Sequence, residues 1–280
     1  MSRILRALAK ARRENEMALE PPVQEVSQNT LIPVQKEDLL SKLVVGGSSP
    51  FSREEVLIAP PHSFAEDQFR KLKAYILRRS PQPPSSILIT SAGPGEGKTT
   101  VAVNLAIAFS RESNQKVFLI DADVAKPSIY PAEESHSKGL SDYLEGQSSI
   151  TEIMAKFDGG NFTLIPAGNR SGEHSDLIGS QRMRDLIRNL RENCNGNGMI
   201  LIDSAPLLVS SGPLLLSEWV DGAILVVKAG MVPKLAVRKA VESIGREKFV
   251  GVVFNDPNLH RSRHYGGYYY GYYGMNAKRP

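Results

Sequence analysis

The chain has 280 residues, enough for one or two domains with a substantial core. Its 41% hydrophobic and 23% charged content is that of an ordinary globular protein, and no apolar stretch approaches the ~18–20 residues a membrane-spanning helix needs. The net charge of +4 is a property of the C-terminus: every acidic residue lies at or before Asp256, while Arg261, Arg263, Lys278 and Arg279 follow it, which argues against a nucleic-acid-binding body. Cys194 is the only cysteine, so an intramolecular disulfide is excluded. With no secretory-type apolar run at the N-terminus, a cytoplasmic protein is expected.

In chain order, residues 1–18 read as a short amphipathic helix. Ile4, Leu8 and Ala11 lie on one stripe with Leu5 beside it, ringed by Arg3, Arg6, Lys10, Arg12 and Arg13. Such a piece suits an anionic membrane surface, a partner, or plain solvent. Residues 19–59 have linker composition, with Pro21, Pro22, Pro33 and a Gly-Gly-Ser-Ser-Pro run ending at Pro50. A body over 60–256 follows. It opens with a helix over 63–78 whose apolar set is Phe64, Phe69, Leu72, Tyr75 and Ile76. Asp67, Arg70 and Lys73 recur at three-residue steps, so they share a face. They can form salt bridges within or between subunits, or simply a solvated charged face.

Residues 85–100 organise the rest. An apolar strand (Ile87, Leu88, Ile89) leads into Ala92, Gly93, Pro94, Gly95, Glu96, Gly97, Lys98, Thr99 and Thr100, and then into an apolar-periodic helix over 98–111. Strand, glycine loop, Lys-Thr and helix form the context of a phosphate loop. Its glycines let backbone N–H groups close around phosphate oxygens, and the helix dipole points at the same anion. Lys98 reaches the terminal phosphates, and the Thr99 hydroxyl suits Mg²⁺. The first glycine of the motif is Ala92, which is tolerable if its φ stays negative.

A strand over 115–120 ends in Asp121 and Asp123. Two carboxylates at a strand end are costly unless they bind a cation or do chemistry. Two short helices are expected within 138–157, a strand over 162–165, and a helix over 181–191 with Met183, Leu186, Ile187 and Leu190 inward. The apolar run 199–202 delivers Asp203 to a strand end, where it suits Mg²⁺ held through water. A strand over 223–228, a helix over 233–244 and a strand over 249–255 complete the body. Four or five apolar strands alternating with helices require an α/β fold, a doubly wound, mostly parallel sheet of the P-loop NTPase type with helices on both faces. The segment 257–280 breaks every pattern of the body. It holds six of the nine tyrosines (Tyr265, Tyr268, Tyr269, Tyr270, Tyr272 and Tyr273) with four interspersed glycines, and from His260 onward no Leu, Ile or Val. It is expected to be a disordered tail, and the N-terminal segment a flexible one.

Together, the phosphate loop, the Asp-x-Asp strand end, the later Ile-Asp strand end and the terminal tyrosine cluster resemble the bacterial tyrosine kinases (BY-kinases). The resemblance covers roughly 60–256 and the tail. Residues 92–99 match the Walker A loop, 119–123 the Walker A′ segment and 200–206 the Walker B segment. Asp67, Arg70 and Lys73 resemble the family's subunit-contact motif, and Asn255 ends a strand similar to one whose Asn reads adenine. Ala125-Lys126-Pro127 and Ser204-Ala205-Pro206 depart from the family's pattern. The resemblance implies an ATP- and Mg²⁺-dependent protein-tyrosine autokinase that modifies its tail in trans and governs exopolysaccharide synthesis. On that resemblance, Lys98, Asp121 and Asp123 do the chemistry, and Thr99, Asp121 and Asp203 hold the metal. It further implies the separate-kinase form, a homo-oligomeric ring at the inner face of the membrane, a membrane-embedded chain-length (co-polymerase) activator, a phosphotyrosine phosphatase, and no nucleic acid. A partition or septum-positioning ATPase switch is the alternative on the same fold. Its lysine early in the phosphate loop is replaced here by Gly93.

Overall fold

The computed structural model describes residues 58–79, 82–112, 115–129, 138–157, 161–168 and 174–255. The expected N-terminal helix, nearly all of the linker and the tyrosine tail lie outside them. Seven strands form one sheet: β1 (Ser86–Ser91), β2 (Lys116–Asp121), β3 (Ala155–Phe157), β4 (Phe162–Ile165), β5 (Gly198–Asp203), β6 (Gly222–Lys228) and β7 (Phe249–Asn255), in the order β3-β4-β2-β5-β1-β6-β7. Every pairing is parallel except β3 with β4. Six of these strands are marked in the sequence, and β3 is not. Three-residue β3 carries no alternation of its own and is held by pairing with β4 at the sheet edge, where Phe157 stacks on Phe162 with centroids 4.4 Å apart.

All six residues of β1 are buried, as a central parallel strand covered on both faces requires. One face packs against α1 (Phe64–Leu77) and α2 (Lys98–Ser110), with Ile76, Ile87, Ile89, Leu105 and Phe109 at its core. The opposite face carries α5 (Gln181–Asn193), α6 (Gly212–Trp219) and α7 (Lys234–Ile244) over Leu88, Ile120, Ile202 and Leu225. Two one-turn helices, α3 (Leu140–Leu144) and α4 (Ile150–Ile153), lead into β3. Met183, Leu186, Ile187 and Leu190 of α5 all face inward, as their spacing predicts.

Helix α1 is fixed by its N-terminus and one buried cation. The Ser63 hydroxyl accepts from Glu66 N at 3.2 Å, and Glu66 Oε2 accepts from His62 N at 2.5 Å, which satisfies N–H groups that helix geometry leaves unpaired. Arg111 also pairs with Glu66. Two residues of α1 depart from the sequence reading. Tyr75, placed in the apolar set, is 77% exposed. Lys73, placed on the shared charged face, is buried: its Nζ donates to Ala108 O at 3.1 Å and pairs with Glu112 at 2.6 Å above the Phe109 ring. Periodicity assigns both to the face they nearly reach. The groove between α1 and the end of α2 admits the thin lysine stem and leaves the broad ring outside.

Candidate nucleotide and phosphoryl-transfer site

The C-terminal ends of β1, β2, β5 and β6 converge on one edge of the sheet, where open α/β sheets bind ligands. The loop after β1 is shaped by two glycines in the left-handed region, Gly95 (φ 74°) and Gly97 (φ 90°). A Cβ on Gly97 would run into Asn255 Nδ2. Ala92 has no positive φ, so an alanine fits where the motif has its first glycine.

The loop is braced from within. Glu96 is fully buried; its Oε1 accepts from Gly93 N at 2.6 Å and its Oε2 from Lys228 N at 3.2 Å, tying both sides of the loop to the end of β6. Asn255 Nδ2 donates to Glu96 O at 2.9 Å. Pro94 lies in the turn between these anchors. Met231 and Val232, from the segment after β6, stand against Gly95 and Gly93. The brace by Glu96 and this apolar flank escape sequence reading. Nothing in the motif marks the glutamate side chain as structural, and residues 229–232 carry no pattern beyond following a strand.

Lys98 and Thr99 open α2, so their backbone N–H groups and the positive end of the helix dipole face the loop. Thr100 occupies the same first turn, and its carbonyl accepts from Asn104 Nδ2 at 2.7 Å. Thr99 Oγ1 donates to Asp203 Oδ2 at 2.6 Å, joining the loop to β5. Asp203 and Asp121 are register partners on adjacent strands, so their side chains leave the same face of the sheet about 4.8 Å apart. Asp123 follows two residues on. Its N–H donates to Asp121 Oδ1 at 3.2 Å, while its own Oδ1 accepts from Lys126 N at 3.2 Å. The structure thus brings Lys98, Thr99, Asp121, Asp123 and Asp203 together at the loop. Asp67, Arg70 and Lys73 lie on α1 instead, where Asp67 pairs with Lys71 and Arg70 with Glu66.

Charge is concentrated here without full compensation. Burial, the neighbouring Asp203 charge and Asp123 push the Asp121 carboxyl well above its ordinary range. Burial raises Asp203 to about 7, against the opposing pull of the Thr99 hydroxyl and Lys98. Burial also raises Asp123, with Lys98 opposing. Asp203 Oδ1 is buried and has no hydrogen-bond partner. A buried carboxylate oxygen without a donor is costly unless a cation completes it. The donors present, the Thr99 hydroxyl and the Asp203 and Asp121 carboxylates, suit Mg²⁺, which keeps several waters and takes one or two carboxylates plus substrate phosphates.

Fold and site define a P-loop nucleotide-binding domain. The family model described as the CobQ/CobB/MinD/ParA nucleotide binding domain matches residues 87–266. The tyrosine-protein kinase YwqD of Bacillus subtilis (strain 168) is 30% identical over 227 residues, covering 80% of this chain and 93% of that protein. The tyrosine-protein kinase CpsD of Streptococcus pneumoniae is 32% identical over 197 residues, 69% of this chain and 84% of its own. The crystal structure of the VpsO kinase domain superposes with a TM-score of 0.59 at 28% identity, over 70% of this chain and all (100%) of that one. The chain belongs to the bacterial tyrosine kinases of the CobQ/CobB/MinD/ParA nucleotide-binding family.

Proposed function

We propose that the chain is an autokinase that transfers the γ-phosphoryl group of ATP to tyrosines of its own segment 257–280, reaching the site of a neighbouring copy, in the service of exopolysaccharide synthesis. The observation that carries this reading is the set of buried, undercompensated carboxylates beside Lys98 and the phosphate loop. Those groups would be a standing cost in a protein that never met a metal-bound triphosphate. Thr99 and Asp203, with Asp121 beside them, are the residues to hold Mg²⁺. The ion would supply positive charge that neutralises the β- and γ-phosphate oxygens.

Phosphoryl transfer needs positioning and charge neutralisation more than covalent chemistry. Backbone N–H groups at 95–99 cradle the phosphates, and Lys98 meets the charge that moves onto the bridging oxygen as the bond to the γ-phosphorus breaks. The attacking tyrosine hydroxyl has a pKa near ~10 and must give up its proton. Asp121 and Asp123, both raised toward the useful range, are the acceptors at hand. Asn255, bonded to the loop at Glu96, is assigned to the base of the nucleotide.

Asp67 and Arg70, on the outer face of α1, serve contact between copies in a ring, while Lys73 supports α1 from inside. No helix among the described residues is long and apolar enough to cross a membrane. Attachment to the membrane is assigned to a partner, a co-polymerase-type activator, and a phosphotyrosine phosphatase resets the tail. A partition-type switch is disfavoured because Gly93 and Pro94 stand where a lysine would reach across a dimer. The purified chain, incubated with magnesium ATP, is expected to accumulate phosphotyrosine within 257–280, mapped by mass spectrometry, and Lys98→Met is expected to lose at least about 10³-fold of the rate. Absence of phosphotyrosine with a cognate activator supplied would leave only a nucleotide switch.

A further inference from the structure

The exposed face of α1 presents a surface that the nucleotide site does not use. Tyr75 stands 77% exposed near the end of the helix. Around it, Lys71, Ala74, Arg78 and Arg79 of the helix end and Val250 of edge strand β7 line an open groove of about 740 Å³. Three of these six residues are cations and none is a carboxylate. Lys71 lies 3.2 Å from Asp67 at the rim, and Arg79 Nη1 donates to Val250 O at 2.6 Å, which fixes the far wall. An aromatic ring between cations, over an apolar floor, is complementary to a phosphorylated phenol. Its dianionic phosphate takes charge-assisted bonds from Arg and Lys, and its ring stacks on tyrosine.

The chain carries the matching ligand. Val250 and Asn255 are five residues apart on one strand, about 17 Å at ~3.3 Å per residue. The ten residues from Asn255 to Tyr265 extend to at most ~33–36 Å. The tyrosine segment is thus long enough to return from the end of β7 to the groove beside its start. Each phosphate adds about −1.5 to −2 charges, so a modified segment turns from basic to acidic and becomes attractive to Arg78 and Arg79, beside a Lys71 that Asp67 already pairs.

We infer that this groove binds the phosphorylated form of the chain's own segment 265–273. The inference rests on the autokinase reading for the source of the phosphate. Because Asp67 and Arg70 share the outer face of α1, a phosphorylated tail seated here competes with contact between copies at that helix. An anionic membrane surface is the other acidic partner. Surface recognition of that kind uses about 4–8 clustered cations, more than the groove holds.

The test uses the full chain carrying Lys98→Met, so that its own tail stays unmodified. Synthetic peptides of residues 262–275, with and without phosphate on the tyrosines, are titrated by fluorescence anisotropy. The phosphopeptide is expected to bind at least about tenfold more tightly than its unmodified twin and to weaken with salt. Added Arg78→Glu is expected to lose about tenfold in phosphopeptide affinity and Tyr75→Ala several-fold, with unchanged melting curves because both positions are at the surface. Equal affinity for both peptides, or full affinity in the Arg78→Glu chain, overturns the inference. So does binding to phosphatidylserine vesicles that is lost in Arg78→Glu when the phosphopeptide does not bind. The peptide is made chemically, so its binding does not depend on the chain's own catalysis. A chain that fails the autophosphorylation assay yet binds the peptide keeps the groove and loses the autokinase reading, and the opposite pair of results does the reverse.

Discussion

Asp203 closes β5 at one end of the sheet and Asp221 stands before β6 at the other, and the fold treats the two carboxylates in opposite ways. Asp221 remains partly accessible, yet its Oδ2 accepts from the backbone and hydroxyl of Ser85 (both 2.8 Å) and of Ser86 (3.0 and 3.1 Å), and its Oδ1 pairs with Arg191 at 3.0 Å. Burial pushes its pKa up, but the Ser85 bonds, Arg191 and Ser86 outweigh it, and the carboxyl ends below its usual range. Asp203 has one donor on one oxygen, nothing on the other, and Asp121 beside it. One end of the sheet satisfies its charge from within; the other leaves a carboxylate oxygen without a donor, which the proposed function assigns to a bound metal ion. On that reading the Asp221 end supports stability, and the Asp203 end gives up stability for a task.

That contrast breaks first at the charge-dense end. Asp203→Asn and Asp121→Asn are each expected to cut tail phosphorylation by about 10²–10³-fold in a labelled-ATP assay. At the same time they should raise the stability of the nucleotide-free chain at pH 8 by about 1–3 kcal/mol in urea titrations, because the amide removes a buried like charge. The sign follows from the raised pKa: between about 4 and 7 the folded chain binds more protons at Asp203 than the unfolded chain, so stability falls as pH rises through that window. A variant that loses activity and stability together would show that Asp203 is an ordinary structural group.

Gly97→Ala sharpens the same comparison. The new Cβ meets both an unfavourable φ and the Asn255 amide, so nucleotide affinity is expected to fall about tenfold or more, with about 1–3 kcal/mol of destabilisation. At the quiet end, Asp221→Ala is expected to cost about 1–2 kcal/mol, a figure kept low because the group is accessible, while the folded fraction keeps its phosphorylation rate. Loss of rate per folded molecule in Asp221→Ala would erase the distinction between the two ends.

Much of this arrangement is legible in the residues. Central strands announce themselves as continuous apolar runs because both faces are covered, and Asp121 and Asp203 stand out because each terminates such a run. The phosphate loop is legible because φ and backbone approach restrict which residues fit, and Ala92 fits because its φ is not positive. Other features depend on partners distant in sequence. Strand β3 exists through its pairing with β4, and the apolar helix α6 has no periodicity to separate it from a buried strand or loop. Tyr75 and Lys73 exchange their expected environments because the end of α2 decides what fits beneath α1. The Glu96 side chain looks like a surface residue of a loop until Gly93 N and Lys228 N close around it.

The central claim is that Asp203 is left incomplete so that a metal-bound triphosphate completes it, and melting temperature reads this directly. The increment produced by saturating magnesium ATP should be larger at pH 8 than at pH 5.5 in the native chain, because binding at pH 5.5 must first displace the Asp203 proton. In Asp203→Asn that pH difference should shrink, leaving what Asp121 and the protonation of ATP produce. The same pH difference in both proteins would contradict the account.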